Sequence, residues 1–279
     1  MNRSIKIVAD SSSDVLELSN VNFESAPLKI ITAEKEYVDD KELNVYEMVN
    51  DLQHYKGKSS TSCPNTEDWL KAFGDANEIF CVTITGTLSG SYNTAMTAKA
   101  IYEEAHPERR VFVHNSLSAG PEIALMIEKV QEFVIEGKDF DYICKEAVKY
   151  GKKTGLLFML ESMKNLANNG RVNPLLAKMA GIIGIRVVGK ASNKGDLEPL
   201  SKCRGEKKAL ETIISHLKEL GLRKGKVRIA HCFNEEAAQK LKELIHENFE
   251  KVQVHLYKCR GLCSFYAEKG GFLIGFEKA

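Results

Sequence analysis

The chain has 279 residues, of which 43% are hydrophobic and 28% charged, and its formal net charge is +1. This composition is typical of a globular protein with a sizeable core, and it gives no electrostatic reason to expect a nucleic acid partner. No apolar run is long enough to span a bilayer, and the seven irregularly spaced cysteines do not form a disulfide framework. We therefore expect a cytoplasmic protein without stable membrane insertion.

Strand-like and helix-like segments alternate through the first half of the chain. IKIVAD is predicted as a strand ending at Asp10, IFCVTIT as one ending at Thr85, and VFVHN as one ending near Asn115. The segments NTEDWLKAF, SYNTAMTAKAIYEEA and PEIALMIEKVQEFVIEG have helical patterns. Such alternation predicts βαβ units and a mostly parallel sheet flanked by helices.

The second half predicts a mixed sheet with helices. IRVVGK and LEPLSKC flank the turn-rich ASNKGD, which indicates a hairpin, and SMKNLANN is predicted as a helix that ends at Gly170. Further strands are predicted at TGLLFML, VRIAHC, VQVHLY and GGFLIGFEKA. We expect an α/β protein of two closely packed domains, residues 1–153 and 154–279, with the boundary near residues 151–154.

Hydroxyl side chains cluster after each predicted strand of the first half. The corner after IFCVTIT is the densest, with Thr87, Ser89 and Ser91 beside Gly86 and Gly90. Ligands of open parallel sheets bind beyond the carboxyl ends of the strands, where helix N-termini expose unpaired N–H groups. The corner therefore predicts hydrogen-bonded capture of an oxyanion or carboxylate. Because Ser and Thr are also common N-caps, a purely structural role stays open.

The order of several motifs resembles the DegV family, whose members are bacterial proteins that bind a fatty acid. The motifs are IVADSSSD near the start, TSCP at 61–64, TLSGSYNTA at 87–95, NSLSAG at 115–120 and NNGRV at 168–172. The resemblance implies two α/β domains with one long-chain fatty acid buried between them. It places the carboxylate on Thr61 and Ser62 and on Ser89, Gly90 and Ser91. Asn115 and Ser116 are expected as neighbours.

The resemblance also implies a role without catalysis and without a cofactor or metal. Such proteins carry the acyl chain for a separate fatty acid kinase, which phosphorylates the bound carboxylate and so supplies phospholipid synthesis. Arg171, in NNGRV, is expected either beside the carboxylate or on the surface that docks the kinase. Apolar segments such as GLLFML and PLLAKMAGIIGI are candidates for the acyl tunnel, although each is also typical of ordinary core.

Three departures from the family pattern bear on the site. Cys63 stands where the family usually has Gln, and Asn115 where it has Asp. Near the C-terminus, Cys259 falls where a family histidine contacts the carboxylate, within KCRGLCSFYAEKGG. We hypothesise that Arg260 supplies the missing donor, because a guanidinium pairs well with a carboxylate. The alternative is a solvated loop residue.

Two other functions stay open at this point. Ser89 lies at a strand-to-helix corner, as a hydrolase nucleophile would, although TLSGS departs from the G-x-S-x-G pattern. A serine-type hydrolase of a small acyl ester is therefore one alternative. A regulator that binds a small anion and no lipid is the other.

Overall fold

A computed structural model describes residues 4–173 and 184–279 of the chain, and three sheets organise them. The strands are β1 (Ile5–Asp10), β2 (Asn22–Ala26), β3 (Lys29–Ile31), β4 (Glu36–Val38), β5 (Ser60–Ser62), β6 (Glu78–Thr83), β7 (Arg110–Asn115), β8 (Thr154–Leu160), β9 (Ile185–Ala191), β10 (Leu197–Arg204), β11 (Lys224–His231), β12 (Lys251–Lys258) and β13 (Phe272–Glu277). The helices are α1 (Val45–His54), α2 (Thr66–Phe73), α3 (Ser91–Ala105), α4 (Pro121–Ile135), α5 (Phe140–Gly151), α6 (Lys164–Asn168), α7 (Glu206–Glu219), α8 (Glu235–Asn248) and α9 (Gly261–Ala267).

The first large sheet has four parallel strands in the order β2-β1-β6-β7. Most residues of β1 and β6 are buried, as expected for central parallel strands covered by helices on both faces. The carboxyl ends of β1, β6 and β7 lie at one edge of this sheet. The mostly parallel N-terminal sheet predicted from the sequence is confirmed.

Strand β6 ends at Thr83, two residues before the predicted end at Thr85. The backbone N–H of Ile84 donates to the carboxylate of Asp10 (2.9 Å), and that of Thr85 donates to the carbonyl oxygen of Ser118 (2.8 Å). These two N–H groups are therefore not part of the hydrogen-bonded pairing between β6 and β7, which ends with Thr83 opposite Asn115. A buried carboxylate from the neighbouring strand therefore ends this strand.

The second large sheet has six strands in the order β10-β9-β8-β13-β11-β12 and is mixed, as predicted. Only β11 and β12 pair in parallel among its described strands. The predicted hairpin is present as β9 and β10, which pair antiparallel from Leu197 opposite Ala191. The boundary proposed near residues 151–154 lies just before the first strand of this sheet and stays a prediction.

Helix α4 packs against strands of both large sheets. It starts with Pro121 at its first turn, where proline lacks only an N–H that would be unpaired anyway. Its buried residues lie on most sides of the helix, which is the pattern of an internal helix rather than a surface one. This helix joins the two cores along the middle of the molecule.

A small antiparallel sheet, β4-β3-β5, covers the carboxyl edge of the parallel sheet. Strand β5 is three residues long and carries Thr61 and Ser62. Directly after it, Asn65 and Asp68 form the predicted capping box at the start of α2. Helices α1 and α9 pack beside this sheet and complete the cover.

The segment KCRGLCSFYAEKGG is not a loop, because α9 occupies Gly261–Ala267. All seven cysteines are free thiols. Within residues 4–173 and 184–279, each helix falls short of the length and apolarity needed to cross a bilayer. Most of PLLAKMAGIIGI, proposed above as tunnel lining, lies outside the described residues.

Candidate functional site

A cavity of about 320 Å³ lies between the carboxyl edge of the parallel sheet and the mixed sheet. Strands β5, β8, β10 and β13, helices α6 and α9 and the loop before α3 all contribute to its wall. Its apolar lining residues are Leu28, Ile84, Leu88, Ala119, Leu156, Phe158, Leu160, Leu166, Leu197, Leu262 and Leu273. The remaining lining residues are Ser12, Thr61, Ser62, Cys63, Ser89, Gly90, Arg171, Cys263 and Tyr266. The cavity thus joins a long aliphatic wall to a group of hydroxyls and one arginine.

The corner between β6 and α3 is fixed by Asp10. Its buried carboxylate accepts hydrogen bonds from the Ile84 N–H (2.9 Å), the Ser91 hydroxyl (2.6 Å) and the Ser12 hydroxyl. Burial raises the pKa of Asp10, and these hydrogen bonds oppose that rise. Ser91 donates its only hydroxyl proton to Asp10 and does not belong to the cavity lining, so it positions the corner.

Ser89 and Gly90 do line the cavity. The Ser89 hydroxyl oxygen accepts the N–H of Ser91 (3.2 Å), and its proton has no acceptor among the described residues. Gly90 is the N-cap of α3 and provides no capping side chain. A Cβ at Gly90 would lie 3.1 Å from the Cys63 sulfur, so the wall is tight there. The Ser89 hydroxyl proton therefore remains available at this corner, whereas the Ser91 N–H donates to the Ser89 hydroxyl and the Gly90 N–H contacts the Cys63 sulfur.

Thr61, Ser62 and Cys63 form the opposite side of the polar wall. The Thr61 hydroxyl shares a hydrogen bond of 2.7 Å with the hydroxyl of Tyr266, and the Ser62 hydroxyl donates to the Cys63 carbonyl oxygen (3.2 Å). Burial raises the pKa of the Cys63 thiol, so this residue contributes a neutral sulfur to the wall. Tyr266 is not among the residues predicted from the sequence, because no local signal marks a tyrosine on α9 as a neighbour of β5.

Arg171 carries the single formal positive charge among the described lining residues. It follows Gly170, whose φ of 69° is the left-handed conformation predicted after α6. One guanidinium nitrogen donates to the carbonyl oxygen of Asn169 (2.6 Å). The Asn169 amide in turn donates to the carbonyl oxygen of Ser59 (3.3 Å), beside β5. This turn is therefore tied to the strand that carries Thr61.

Asn115 and Ser116 lie in a different place. Both line a second cavity of about 410 Å³, together with His114 and Glu122. The Asn115 side-chain oxygen accepts the N–H groups of Gly86 (3.1 Å) and Leu117 (3.2 Å), so it shapes the loops around the corner. The structure does not bring these two residues to the wall that contains Thr61 and Ser89.

Arg260 is also engaged away from the described lining of the cavity. Its guanidinium donates to the carbonyl oxygen of Asp40, and its backbone N–H donates to the Asp14 carboxylate (2.9 Å). Cys259, at the position where the resemblance expects a histidine, is buried in a cluster that includes Cys232. Neither residue lines the first cavity.

The N-terminus of α9 is closed by Asp39. Its buried carboxylate accepts the N–H groups of Gly261 (2.9 Å) and Leu262 (2.8 Å). Burial raises the pKa of Asp39, and burial raises the pKa of nearby Asp14 to about 8. This helix therefore has no free N–H group in these two positions to offer a ligand.

The hydrolase alternative requires a histidine beside Ser89. All seven histidines lie within the described residues, and none hydrogen-bonds to Ser89. His114 faces the second cavity, and the Nδ1 atom of His231 accepts the N–H of Asn234 (3.2 Å). Within the part of the chain that the structure describes, Ser89 therefore has no histidine to act as its general base.

Comparison with known proteins identifies the family. A family model described as "Uncharacterised protein, DegV family" matches residues 4–278. A DegV domain-containing protein from Streptococcus gordonii is 42% identical over 276 residues, which cover 98% of each chain. The chain belongs to the DegV family.

Two solved structures share its fold closely. A DegV family protein from Eubacterium eligens, loaded with heptadecanoic acid, is 43% identical with a TM-score of 0.97, covering 99% of this chain and 100% of that one. The Fatty Acid Kinase (Fak) B3 protein from Streptococcus pneumoniae, loaded with linoleic acid, is 41% identical with a TM-score of 0.97 and the same coverage. The α/β architecture is therefore that of a DegV protein.

Proposed function

We propose that this protein binds one long-chain fatty acid in the first cavity. The carboxylate lies on the hydroxyls of Thr61 and Ser89 and on the backbone of Gly90, and the acyl chain lies along the leucine-rich wall. The Ser62 hydroxyl joins them when its proton turns from the Cys63 carbonyl oxygen to the acid. The observation that carries the proposal is the combination, in one cavity, of a long aliphatic lining with hydroxyl donors and a single arginine. A fatty acid has the matching combination of one charged end and a long apolar body.

The energetics fit this division of roles. Each buried methylene contributes roughly 0.8 kcal/mol, so a long acyl chain supplies on the order of 10 kcal/mol before ordering costs. A buried carboxylate, by contrast, is costly unless it is paired and hydrogen-bonded. The free hydroxyl proton of Ser89 and the charge of Arg171 supply such partners. The aliphatic wall therefore provides most of the affinity, and the polar wall provides orientation.

The relatives support this proposal, because both solved structures described above are loaded with long-chain fatty acids. The name of the pneumococcal relative also points to a kinase. We therefore propose that the protein is a non-catalytic carrier that presents the carboxylate to a separate fatty acid kinase, which forms the acyl phosphate used in phospholipid synthesis. Arg171, at the polar wall, is the candidate contact for that kinase.

Mass spectrometry of an organic extract from the purified, denatured protein tests the binding proposal. We expect one fatty acid per chain. Ala119→Phe, which projects a ring into the cavity, should remove it, whereas Ala100→Phe on the exposed face of α3 should not. An empty extract, together with no thermal shift on adding C16 to C18 acids, would contradict the proposal and favour a regulator that binds a small anion.

The kinase proposal is tested separately with Arg171→Ala. With added fatty acid kinase and ATP, we expect acyl phosphate formation by this variant to fall more than its affinity for the acid. The matched control is Arg223→Ala. Arg223 is exposed and is not among the described residues that line the first cavity, so this variant should behave as wild type. Equal turnover by wild type and Arg171→Ala would remove Arg171 from the docking surface.

A further inference from the structure

One hydrogen bond crosses the polar wall of the cavity and joins two distant parts of the chain. The Tyr266 hydroxyl on α9 and the Thr61 hydroxyl on β5 are 2.7 Å apart, although 205 residues separate them in sequence. Both residues line the cavity. Tyr266 packs edge-on against Phe265, with ring centroids 4.9 Å apart, so the direction of its hydroxyl is constrained by the core beneath α9.

The pair has one proton to offer a third group. Each hydroxyl carries a single proton, and one of the two protons lies in the bond between them. Neither hydroxyl has a second hydrogen-bond partner among the described residues. Whichever oxygen is the donor, the other hydroxyl keeps a proton that can point into the cavity. The pair therefore acts as one oriented donor.

The tyrosine stays protonated in this position. Burial raises the pKa of Tyr266, and the smaller opposing effects come from the Thr61 hydroxyl and the charge of Arg171. A phenol is a stronger acid than an aliphatic alcohol, so the favoured direction runs from Tyr266 to Thr61. A hydroxyl that accepts one hydrogen bond becomes a better donor in the next. The Thr61 hydroxyl is therefore a stronger donor to a group in the cavity.

We propose that Tyr266 is a positioning residue that orients and strengthens the Thr61 hydroxyl as a donor to the ligand carboxylate, so that the site selects free acids over neutral lipids of equal length. This inference rests on the proposed function and assigns part of its specificity. The selection follows because hydrogen bonds to a charged acceptor are about twice as strong as those between neutral groups. A fatty alcohol fills the same aliphatic wall but gains much less from the oriented donor.

The test compares linoleic acid with linoleyl alcohol on delipidated protein, by equilibrium binding to wild type, Tyr266→Phe, Thr61→Val and the double variant. We expect Tyr266→Phe to raise the dissociation constant for the acid about three- to tenfold and to leave that for the alcohol within about twofold. The double variant should bind the acid no more weakly than Thr61→Val alone, because Tyr266 acts through Thr61. Thr61→Ser, which keeps the hydroxyl, should retain the preference for the acid.

The outcomes separate this inference from the proposal beneath it. If Tyr266→Phe changes both affinities equally, or neither, Tyr266 only packs and the inference is overturned. If the double variant is weaker than Thr61→Val by the full effect of Tyr266→Phe, the tyrosine acts independently and the inference is again overturned. If wild type binds neither acid nor alcohol, the proposed function itself is refuted. Thermal unfolding of each variant shows whether a lost affinity reflects a lost fold.

Discussion

Two helices begin next to the first cavity, and they treat their N-termini in opposite ways. At α3, the N-cap is Gly90, which has no capping side chain, and the hydroxyl proton of Ser89 has no acceptor among the described residues. At α9, the Asp39 carboxylate accepts the N–H groups of the first two helical residues. In sequence both corners are short stretches with Gly and Ser or Cys. In the structure one is open to a ligand and the other is closed by the chain itself.

The difference shows what an anion site needs beyond a helix N-terminus. Unpaired N–H groups at the start of a helix attract a carboxylate from any source. At α9 the carboxylate comes from a residue more than 200 positions earlier, and it is 1% exposed. At α3 the nearby carboxylate of Asp10 binds Ser91 and Ile84 behind the corner, so the cavity side stays unfilled. An open corner therefore depends on where the acidic side chains of the fold are used.

The largest effect is expected from opening the closed corner. Asp39→Ala leaves the buried N–H groups of Gly261 and Leu262 without acceptors, which should lower the free energy of unfolding by roughly 2–4 kcal/mol. Urea denaturation measures the change. Asp39→Asn, which keeps one side-chain carbonyl oxygen, is the control and should lose clearly less. Equal stability of Asp39→Ala and wild type would show that this carboxylate does not hold α9 in place.

The next largest effect is expected at the open corner. Ser89→Ala should weaken fatty acid binding by about 1–3 kcal/mol, because a buried carboxylate is left short of a donor. Isothermal titration with the delipidated protein measures it. Ser91→Ala is the matched control: its hydroxyl serves Asp10, so we expect a loss of folding stability rather than a selective loss of affinity. Unchanged affinity in Ser89→Ala would exclude that hydroxyl from the carboxylate site.

The sequence predicted the parallel sheet and the hydroxyl-rich corner because both depend on local signals. Alternating apolar runs and helical patterns fall within single segments, and the capping box of Asn65 and Asp68 is set by a spacing of three. The closure of α9 by Asp39 and the contact of Tyr266 with Thr61 join residues far apart in the chain. No periodicity marks such pairs, so the sequence predicts a loop where α9 forms and carries no signal for the role of Tyr266.

The same dependence on tertiary contacts explains why Ser91 and Arg260 do not line the cavity, although their residue types suit a carboxylate site. Ser91 belongs to the same Ser-Gly motif as Ser89, but helix geometry turns its hydroxyl to Asp10. Arg260 is suited to carboxylate recognition by its chemistry, yet its guanidinium donates to the carbonyl oxygen of Asp40. Residue type predicts what a side chain can bind. Which partner it meets depends on the tertiary fold.

A pH dependence should distinguish the closed corner from the rest of the molecule. Burial raises the pKa of Asp14 from 3.8 to about 8, so the folded state binds this proton more tightly than the unfolded state does. Stability from this group is therefore complete below the unfolded pKa and is lost as the pH rises toward the folded value. Asp14→Asn keeps an oxygen for the N–H of Arg260 and removes the titration.

Thermal unfolding of wild type and Asp14→Asn between about pH 5 and pH 8, within the interval from the unfolded to the folded pKa, measures this dependence. We expect the melting temperature of wild type to fall more steeply over that range than that of the variant. The buried carboxyls of Asp10, Asp39 and Glu122 also have raised pKa values, and the comparison cancels their common contribution. Parallel curves for the two proteins would mean that Asp14 does not titrate there.

The smallest effect is expected from Arg260, and it decides whether the closed corner takes any part in binding. The guanidinium contacts the Asp40 carbonyl oxygen and does not belong to the described lining of the cavity. Arg260→Ala should therefore leave the affinity for a fatty acid within about twofold and lower the free energy of unfolding by about 1 kcal/mol, the usual contribution of one hydrogen bond. Arg171→Ala, measured in the same titration, is the comparison, because Arg171 does line the cavity. The two outcomes assign the carboxylate to different helices. If Arg260→Ala weakened binding as much as Arg171→Ala, the guanidinium would have to leave Asp40 when the acid binds, and the hypothesis that it replaces the family histidine would be supported.

If Arg260→Ala leaves the affinity unchanged, carboxylate recognition lies with the open corner at α3 and the wall formed by Thr61. Helix α9 then contributes through Tyr266 rather than through its N-terminus.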